Sequence, residues 1–360
     1  MRAAELGHRT LVVSTDIAHS LADVLDNDVG GEPTAVAERL AAQEVNVLEE
    51  ARRTWGRFQD QLSEILRREG VSEVQAEELA IVPGMDEVAA LVQIGRRARS
   101  GEYDCVIVDA APTGETIRLL SMPESFRWYA GRIHEWRGRL VKLAGPILRN
   151  AIPDLDVVDA LDRLAVRVRE LRGMLTDAAR SSYRIVVTPD RAVLKEAQRA
   201  ETYLNLFEYP VDCVIVNRVL PPDDGSPFLA ALRARQDAMR EEIDRAFPSL
   251  PRFEARHAIE EPIGREALVA FARDIFEERD PLEVFHTGRT LEVERRGTEH
   301  VLRVPMPNVE ISKLSLSKHG DELYVDVGNF RRGIALPAVL AALEPEVARV
   351  RDGALEVSFK

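Results

Sequence analysis

The sequence predicts an α/β fold with a doubly wound, mainly parallel sheet and a helical insertion, followed by a small C-terminal antiparallel β-sandwich. Over the first roughly 290 residues, short apolar, β-branched runs, several of them nearly continuous, alternate with long helical patterns. Such runs are typical of strands that helices cover on both faces. After about Thr290 apolar residues occupy every second position, which is typical of antiparallel strands with one buried face. We therefore predict two domains, over 1–289 and 290–360.

Composition and charge exclude several classes of protein. The 360 residues carry 48 basic and 61 acidic side chains, a net charge of −13, which disfavours binding to the nucleic-acid backbone. Two cysteines, each inside an apolar run, exclude a disulfide scaffold and are expected to be buried and reduced. The sequence contains no apolar run long enough to span a bilayer and no signal peptide, so we expect a cytoplasmic protein without an integral membrane span.

The polar residues that follow the apolar runs are the first candidates for a site, because ligands of doubly wound folds bind beyond the carboxyl ends of the strands. These candidates are Asp16, Asp109, Thr188 and Asn217. The predicted strands are Thr10–Ser14, Leu79–Val82, Tyr103–Ala110, Tyr183–Thr188, Val211–Asn217 and Phe253–His257.

Two long segments read as helical without strands, one over about Ala35–Glu69 and a larger insertion over about 124–180. The insertion contains an amphipathic pattern of apolar residues at three- and four-residue steps, and it also contains many arginines. It is either a helical subdomain with a solvated basic face or a groove for an apolar partner helix. The apolar positions of the pattern are Leu161, Leu164, Val168, Leu171 and Leu175.

The C-terminal segment alternates apolar and polar residues in several short runs, of which Ala354–Phe359 is the last. His319-Gly320-Asp321 and Asp352-Gly353 have the composition of tight hairpin turns. Both features predict a meander of antiparallel strands.

Three motifs have residues suited to nucleotide chemistry. Asp109 ends an apolar strand before a Pro-Thr-Gly turn, and a carboxylate at this position can hold Mg²⁺ through water. Asp16 follows another strand, and its carboxylate can orient an attacking water. Asn217 ends a third strand with an amide that can pair with the edge of adenine. Taken singly, a residue at such a position is more often a turn former or helix cap, and the order and spacing of the three motifs together are far more specific.

Together these motifs resemble the arsenite-transport (ArsA) and tail-anchored-protein-targeting ATPases, a branch of the deviant Walker P-loop NTPases. The segments that carry the resemblance are Thr15–Ser20 and Asp109–Leu120, together with Pro83–Glu87, Val187–Asp190, Val216–Arg218 and Glu261–Gly264. The resemblance covers residues 1 to about 280, and it implies an ATPase that uses ATP and Mg²⁺.

The resemblance assigns roles to individual residues. Asp16 would position the attacking water, and Asp109 would support Mg²⁺ through water. His19 and Ser20 would belong to the first switch loop. Thr113 and Gly114 would sense the γ-phosphate in the second switch. The nucleotide-binding residues would be Asn217, Arg218 and Pro262, with Asn217 reading adenine.

Two departures from the family pattern matter. The phosphate-binding loop, Gly-Lys-Gly-Gly-x-Gly-Lys-Ser/Thr, should precede the strand at Thr10–Ser14, and the sequence contains no such segment. Its absence indicates a start codon assigned too far downstream, a trimmed chain, or a nucleotide-free relative. The paired Cys-x-x-Cys of the eukaryotic targeting members is also absent, so no zinc is expected.

The C-terminal segment resembles the core of the small heat-shock proteins (α-crystallins), a domain that some members of this ATPase family carry. The resemblances imply a nucleotide-gated homodimer that handles an apolar client, such as a membrane-protein segment. A nucleotide-independent, chaperone-like binding protein is the alternative. A subunit of an arsenite pump is a third possibility, but it would need a thiol cluster that the sequence lacks.

Overall fold

The computed structural model describes residues 1–15, 20–45, 67, 85–110, 120, 166–221, 226–287, 291–297, 299–309 and 311–360. The chain divides into two compact units. The first is built mainly from residues 3–173, and the second mainly from 174–262 and 266–360.

The first unit contains a four-stranded sheet in the order β2-β3-β1-β4. Strands β3, β1 and β4 run parallel, and β2 pairs antiparallel with β3. The elements are α1 (Arg2–Glu5), β1 (Thr10–Ser14), α2 (Ser20–Leu25), β2 (Thr34–Ala37), β3 (Leu40–Glu44), α3 (Met85–Arg99) and β4 (Cys105–Asp109).

The second unit contains a parallel sheet in the order β5-β6-β7. Its central strand, mostly apolar but with Asp212 near its start, is buried along most of its length, as expected for a strand that helices cover. The elements in this part of the chain are β5 (Tyr183–Val187), α4 (Arg191–Leu206), β6 (Val211–Val219), α5 (Pro227–Ala246), β7 (Arg252–Arg256) and α6 (Gly264–Phe276).

The C-terminal strands form two antiparallel sheets, β13-β14-β9-β8 and β10-β11-β12, whose apolar faces share one core. This confirms the predicted antiparallel β domain. Asp352 and Gly353 both have positive φ in a two-residue hairpin, as their composition predicts. The elements are β8 (Glu292–Arg296), β9 (Glu299–Pro305), a 3₁₀ turn (Ile311–Lys313), β10 (Leu314–His319), β11 (Glu322–Val327), β12 (Phe330–Ala335), α7 (Ala338–Ala341), β13 (Pro345–Arg351) and β14 (Ala354–Phe359).

The prediction of a strand-free helical segment over Ala35–Glu69 is wrong at its start. β2 occupies Thr34–Ala37 and β3 occupies Leu40–Glu44. The alanines of this segment favour a helix locally, but pairing of β3 with β1 buries Leu40 and Ala42 in the sheet. Tertiary pairing therefore overrides the local helix propensity.

The other predicted strands are found within two residues at each end, except Leu79–Val82, which lies outside the described residues. Their burial is less complete than the apolar runs predict. Ile107 in β4 is 40% exposed and Val186 in β5 is 57% exposed. Both side chains lie on strands that have a single neighbour in the sheets of the described residues, since β4 and β5 are edge strands there. Cys213 is buried as expected, whereas Cys105, in β4, is only half-buried.

Most of the predicted insertion, up to residue 165, lies outside the described residues, and 166–175 is helical. Val168 and Leu171 of the predicted amphipathic face are buried. A Cβ on Gly95 of α3 would lie 2.8 Å from Leu171 Cδ1, so a larger residue there would force the buried Leu171 side chain to shift. Within the part of the chain that the structure describes, no helix combines the length and apolarity needed to cross a membrane.

Helix α4 packs directly on the β domain. Leu206 belongs to the core of that domain, and the ring centroids of Tyr203 and Phe330 are 4.5 Å apart. The buried guanidinium of Arg332 donates to the Leu206 carbonyl and to the Glu208 carboxylate. Within the second unit, the C-terminal end of α4 is thus part of the β-domain core.

Candidate functional site

The carboxyl ends of three parallel strands in the first unit bring polar residues together. Ser14 of β1 is in register with Glu44 of β3 on one side and with Asp109 of β4 on the other. The Thr15 backbone N–H donates to the Asp109 carbonyl at 3.0 Å. The sheet thus places the exposed Asp109 beside the first residues of the predicted switch loop, at the edge where ligands of this architecture bind.

Glu44 is a residue of this edge that the sequence analysis missed. Its side chain is buried, and Oε1 accepts a hydrogen bond of 3.0 Å from the Ala22 backbone N–H in the first turn of α2. A carboxylate is favourable at a helix N-terminus, where unpaired N–H groups carry partial positive charge. The signal was present, because Glu44 ends a strand, but the helical interpretation of this segment concealed it.

The opposite ends of β1 and β4 are fastened by a charged pair. The Arg9 backbone N–H donates to Asp104 Oδ2 at 2.8 Å, and the Arg9 guanidinium donates to both carboxylate oxygens of Asp104. The hydrogen bonds from Arg9 lower the pKa of Asp104 to about 2, which keeps the carboxylate ionised. Both residues are well exposed, so the pair sets the alignment of the strands more than their stability.

In the second unit, two predicted nucleotide-binding residues, Asn217 and Arg218, lie in a β-bulge. Val216 and Val219 of β6 pair with Glu254 and Arg256 of β7, so Asn217 and Arg218 together oppose one residue. Arg218 has a φ of +58°, and its N–H donates to Asn217 Oδ1 at 2.8 Å. The bulge turns Asn217 out of the regular ladder at the end of its strand.

The neighbouring strand ends lie at the same edge of this sheet. The Thr188 hydroxyl, after β5, donates to Asp190 Oδ2 at 3.0 Å. After β7, the His257 N–H donates to the Val219 carbonyl at 2.8 Å, and the chain continues to the half-buried Pro262 before α6. Parallel pairing therefore places the loop that contains Pro262 beyond the same edge as Asn217.

Several predicted site residues lie outside the described residues. They are Asp16, His19, Thr113 and Gly114, and their roles stay predictions. Ser20 begins α2, but its side chain is also outside the description. The structure thus describes Asp109 at the end of β4, Asn217 and Arg218 near the end of β6, and Pro262 in the loop after β7.

The exposed carboxylate of Asp109, at the edge of the first sheet, is an oxygen ligand of the kind that Mg²⁺ prefers. The neighbouring Thr15 hydroxyl donates to the Asp109 carbonyl at 3.4 Å. Among the described residues no group of three or more His, Cys, Asp or Glu side chains forms a metal cage. Mg²⁺ in nucleotide sites does not need such a cage, since phosphates and waters complete its coordination.

Two family models match the chain. The model described as anion-transporting ATPase matches residues 1–277, and the HSP20-like domain found in ArsA matches residues 297–359. These matches agree with an α/β region followed by antiparallel strands.

Curated relatives match the chain, two bacterial ones over nearly its whole length and a plant one over two thirds of it. A putative arsenical pump-driving ATPase of Prosthecochloris vibrioformis is 34% identical over 100% of this chain and 90% of its own length. Putative arsenical pump-driving ATPase 1 of Aquifex aeolicus is 35% identical over 97% of this chain and 92% of its own. ATPase GET3B of Arabidopsis thaliana is 30% identical over 67% of this chain and 64% of its own. The chain therefore belongs to the ArsA family of ATPases and carries that family's HSP20-like domain.

Proposed function

We propose that this protein binds Mg-ATP and hydrolyses it by in-line attack of a water that Asp16 positions. Asp109 would support Mg²⁺ through water, and Asn217 would read adenine. His19, Ser20, Thr113 and Gly114 would form the two switch segments that respond to the γ-phosphate. Arg218 and Pro262 would complete the nucleotide-binding residues. Mg²⁺ would neutralise charge on the transferring phosphoryl group.

The observation that carries this proposal is the match of residues 1–277 to the ATPase family. The geometry supports it in each unit separately. Asp109 lies at a strand end beside Thr15, and Asn217 lies in a bulge at another strand end. Both positions are on the carboxyl edge of a parallel sheet, where nucleotides bind in this fold class.

We further propose that ATP binding and hydrolysis open and close a homodimer and so expose or cover an apolar surface for a client segment. The match of residues 297–359 to the HSP20-like domain supports a protein-handling role. The amphipathic pattern of the insertion supports an apolar surface, since Val168 and Leu171 are buried while Val166 on the same helical segment is 46% exposed.

Binding is tested by a thermal shift with Mg-ATP. A ligand that binds the native state raises the melting temperature, by an amount that grows with its concentration above Kd. We expect a rise with Mg-ATP and none with Mg²⁺ alone. An unchanged melting temperature at millimolar Mg-ATP would count against the proposal.

Hydrolysis is tested with Asp16→Asn. The 360 residues contain no Gly-x-x-x-x-Gly-Lys-Ser/Thr segment, so turnover is measured on a chain that includes a phosphate-binding loop ahead of residue 1. We expect the variant to lose turnover and keep nucleotide binding, because it removes the carboxylate that positions the water. Asp23→Asn is the matched control, since Asp23 is an exposed carboxylate on α2. Unchanged turnover in Asp16→Asn would refute the assignment.

Two other functions are each favoured by one observation. The HSP20-like domain favours a nucleotide-independent, chaperone-like binding protein, for which suppression of client aggregation would be the same with and without ATP. The names of the bacterial relatives favour an arsenical pump subunit. The sequence holds only two cysteines for a soft oxyanion site, and growth on arsenite with and without the gene tests this role.

A further inference from the structure

One side chain of α5 contacts the chain immediately after Asn217. Gln236 Nε2 donates to the Arg218 carbonyl at 2.9 Å, and Gln236 Oε1 accepts from the Leu220 N–H at 2.7 Å. A primary amide has one donor end and one acceptor end, and here each end meets its complement in the backbone. The Gln236 side chain therefore joins two peptide groups on either side of Val219.

These peptide groups belong to a segment in which the hydrogen bonds between β6 and β7 are interrupted. Asn217 and Arg218 form the wide side of the β6–β7 bulge, so regular ladder hydrogen bonds are interrupted there. Arg218 also adopts a φ of +58°, in the left-handed region that residues other than glycine rarely occupy. Such a conformation persists only where surrounding contacts enforce it. Gln236 supplies such contacts.

Helix α5 is itself fastened to the sheet next to Gln236. Arg240 Nε donates to Glu254 Oε1 of β7 at 3.1 Å, and Arg240 Nη1 bonds Asp237 Oδ1 at 2.8 Å. Arg233 donates from the same helix to the Pro221 carbonyl. The Gln236 side chain thus extends from a helix whose position relative to β7 is fixed, and it transmits that position to the bulge.

The bulge in turn holds the side chain of Asn217. The Arg218 N–H donates to Asn217 Oδ1, which orients the amide and directs its NH₂ group away from this contact. We propose that Gln236 is a positioning residue for base selectivity: it holds the left-handed Arg218 peptide and thereby aims the Asn217 amide at the edge of adenine. This inference rests on the proposed function, because it assigns Asn217 to the adenine.

The test compares base-dependent binding with base-independent binding. Dissociation constants of Mg-ATP, Mg-GTP and inorganic tripolyphosphate are measured by calorimetry for the full chain and for Gln236→Met, which keeps the side-chain length and removes both hydrogen bonds. We expect Mg-ATP to bind about tenfold more weakly, the equivalent of one hydrogen bond. Binding of Mg-GTP and tripolyphosphate should stay within about twofold, so the preference for ATP falls.

Two further variants separate positioning from folding. Gln236→Glu keeps the acceptor for the Leu220 N–H but places an oxygen against the Arg218 carbonyl, so it should also lower the preference for ATP. This variant carries the test if Gln236→Met does not fold. Gln198→Met on α4 is the matched control. It removes a helix amide whose Nε2 donates to Asn308 Oδ1 at 3.0 Å, away from β6, and it should leave all three constants unchanged.

The outcomes distinguish this inference from the proposed function. Failure of the unsubstituted chain to bind Mg-ATP would overturn the proposed function and the inference with it. If the unsubstituted chain binds Mg-ATP, and Gln236→Met and Gln236→Glu bind all three ligands more weakly by the same factor, the inference is overturned while the proposed function stands. Unchanged ATP binding in both variants would do the same.

Discussion

A buried carboxylate between α4 and the β domain makes stability depend on pH. Glu201 is 6% exposed, and Oε2 accepts a hydrogen bond of 2.9 Å from Asn308 Nδ2. Burial raises its pKa from 4.5 to about 7, and the hydrogen bond from Asn308 opposes this in part. Thr202 donates nearby to the Pro307 carbonyl, so the carboxylate lies among neutral groups. We expect Glu201 to be largely protonated in the folded protein below neutral pH.

The sign and size of the effect follow from linkage. Below about pH 4.5 Glu201 is neutral both folded and unfolded, and it imposes no ionisation cost. Between pH 4.5 and 7 the unfolded chain releases a proton that the folded chain retains, so the free energy of unfolding falls as pH rises. The pKa rises from 4.5 to about 7, and each pKa unit corresponds to about 1.36 kcal/mol. Above pH 7 the ionisation of Glu201 therefore lowers the free energy of unfolding by about 3 kcal/mol.

Glu201→Gln removes this ionisation, so the free energy of unfolding of the variant should rise relative to the original chain by about 3 kcal/mol between pH 4.5 and 8. Urea unfolding at several pH values measures the difference. Glu196→Gln, which removes an exposed carboxylate from the same helix, controls for the change in net charge. A difference that stays constant with pH, or that moves in favour of the original chain as pH rises, would refute the reasoning.

Two further substitutions test contacts within the second unit. Arg184 pairs with the fully buried carboxylate of Asp212 at 3.2 Å, so Arg184→Met should lower the free energy of unfolding by about 3–5 kcal/mol. Adding Asp212→Asn should recover part of this loss, because it removes the unpaired buried charge. Urea unfolding of the single and double variants measures both effects, and additive losses would contradict the reasoning. Gly328 has a φ of +57°, and a Cβ there would lie 2.9 Å from Tyr203 Oη, so Gly328→Ala should cost about 1–2 kcal/mol. Thermal unfolding measures that loss, and an unchanged melting temperature would show that the turn and the Tyr203 contact relax without cost.

The sequence by itself determined the elements that local pattern specifies. Short apolar runs located β1, β4, β5 and β6, and the predicted strand at Phe253–His257 located β7, each within two residues at each end. Gly and Asp at the hairpin positions located the turn at Asp352 because only a few residues tolerate its positive φ. The family motifs identified the ATPase family, and the match over residues 1–277 confirms it. In each case the physical cause lies within a few neighbouring residues.

Tertiary structure alone decided the features that join distant segments. β3 is a strand because it pairs with β1, although its alanines favour a helix. Glu44 meets α2 and Gln236 meets the bulge at Arg218 only after the sheets have formed. Likewise, Glu201 becomes a buried acid only when α4 packs against the loop that carries Asn308, more than a hundred residues away along the chain. Hydrogen bonds and burial of this kind depend on which surfaces meet, and sequence periodicity does not encode that.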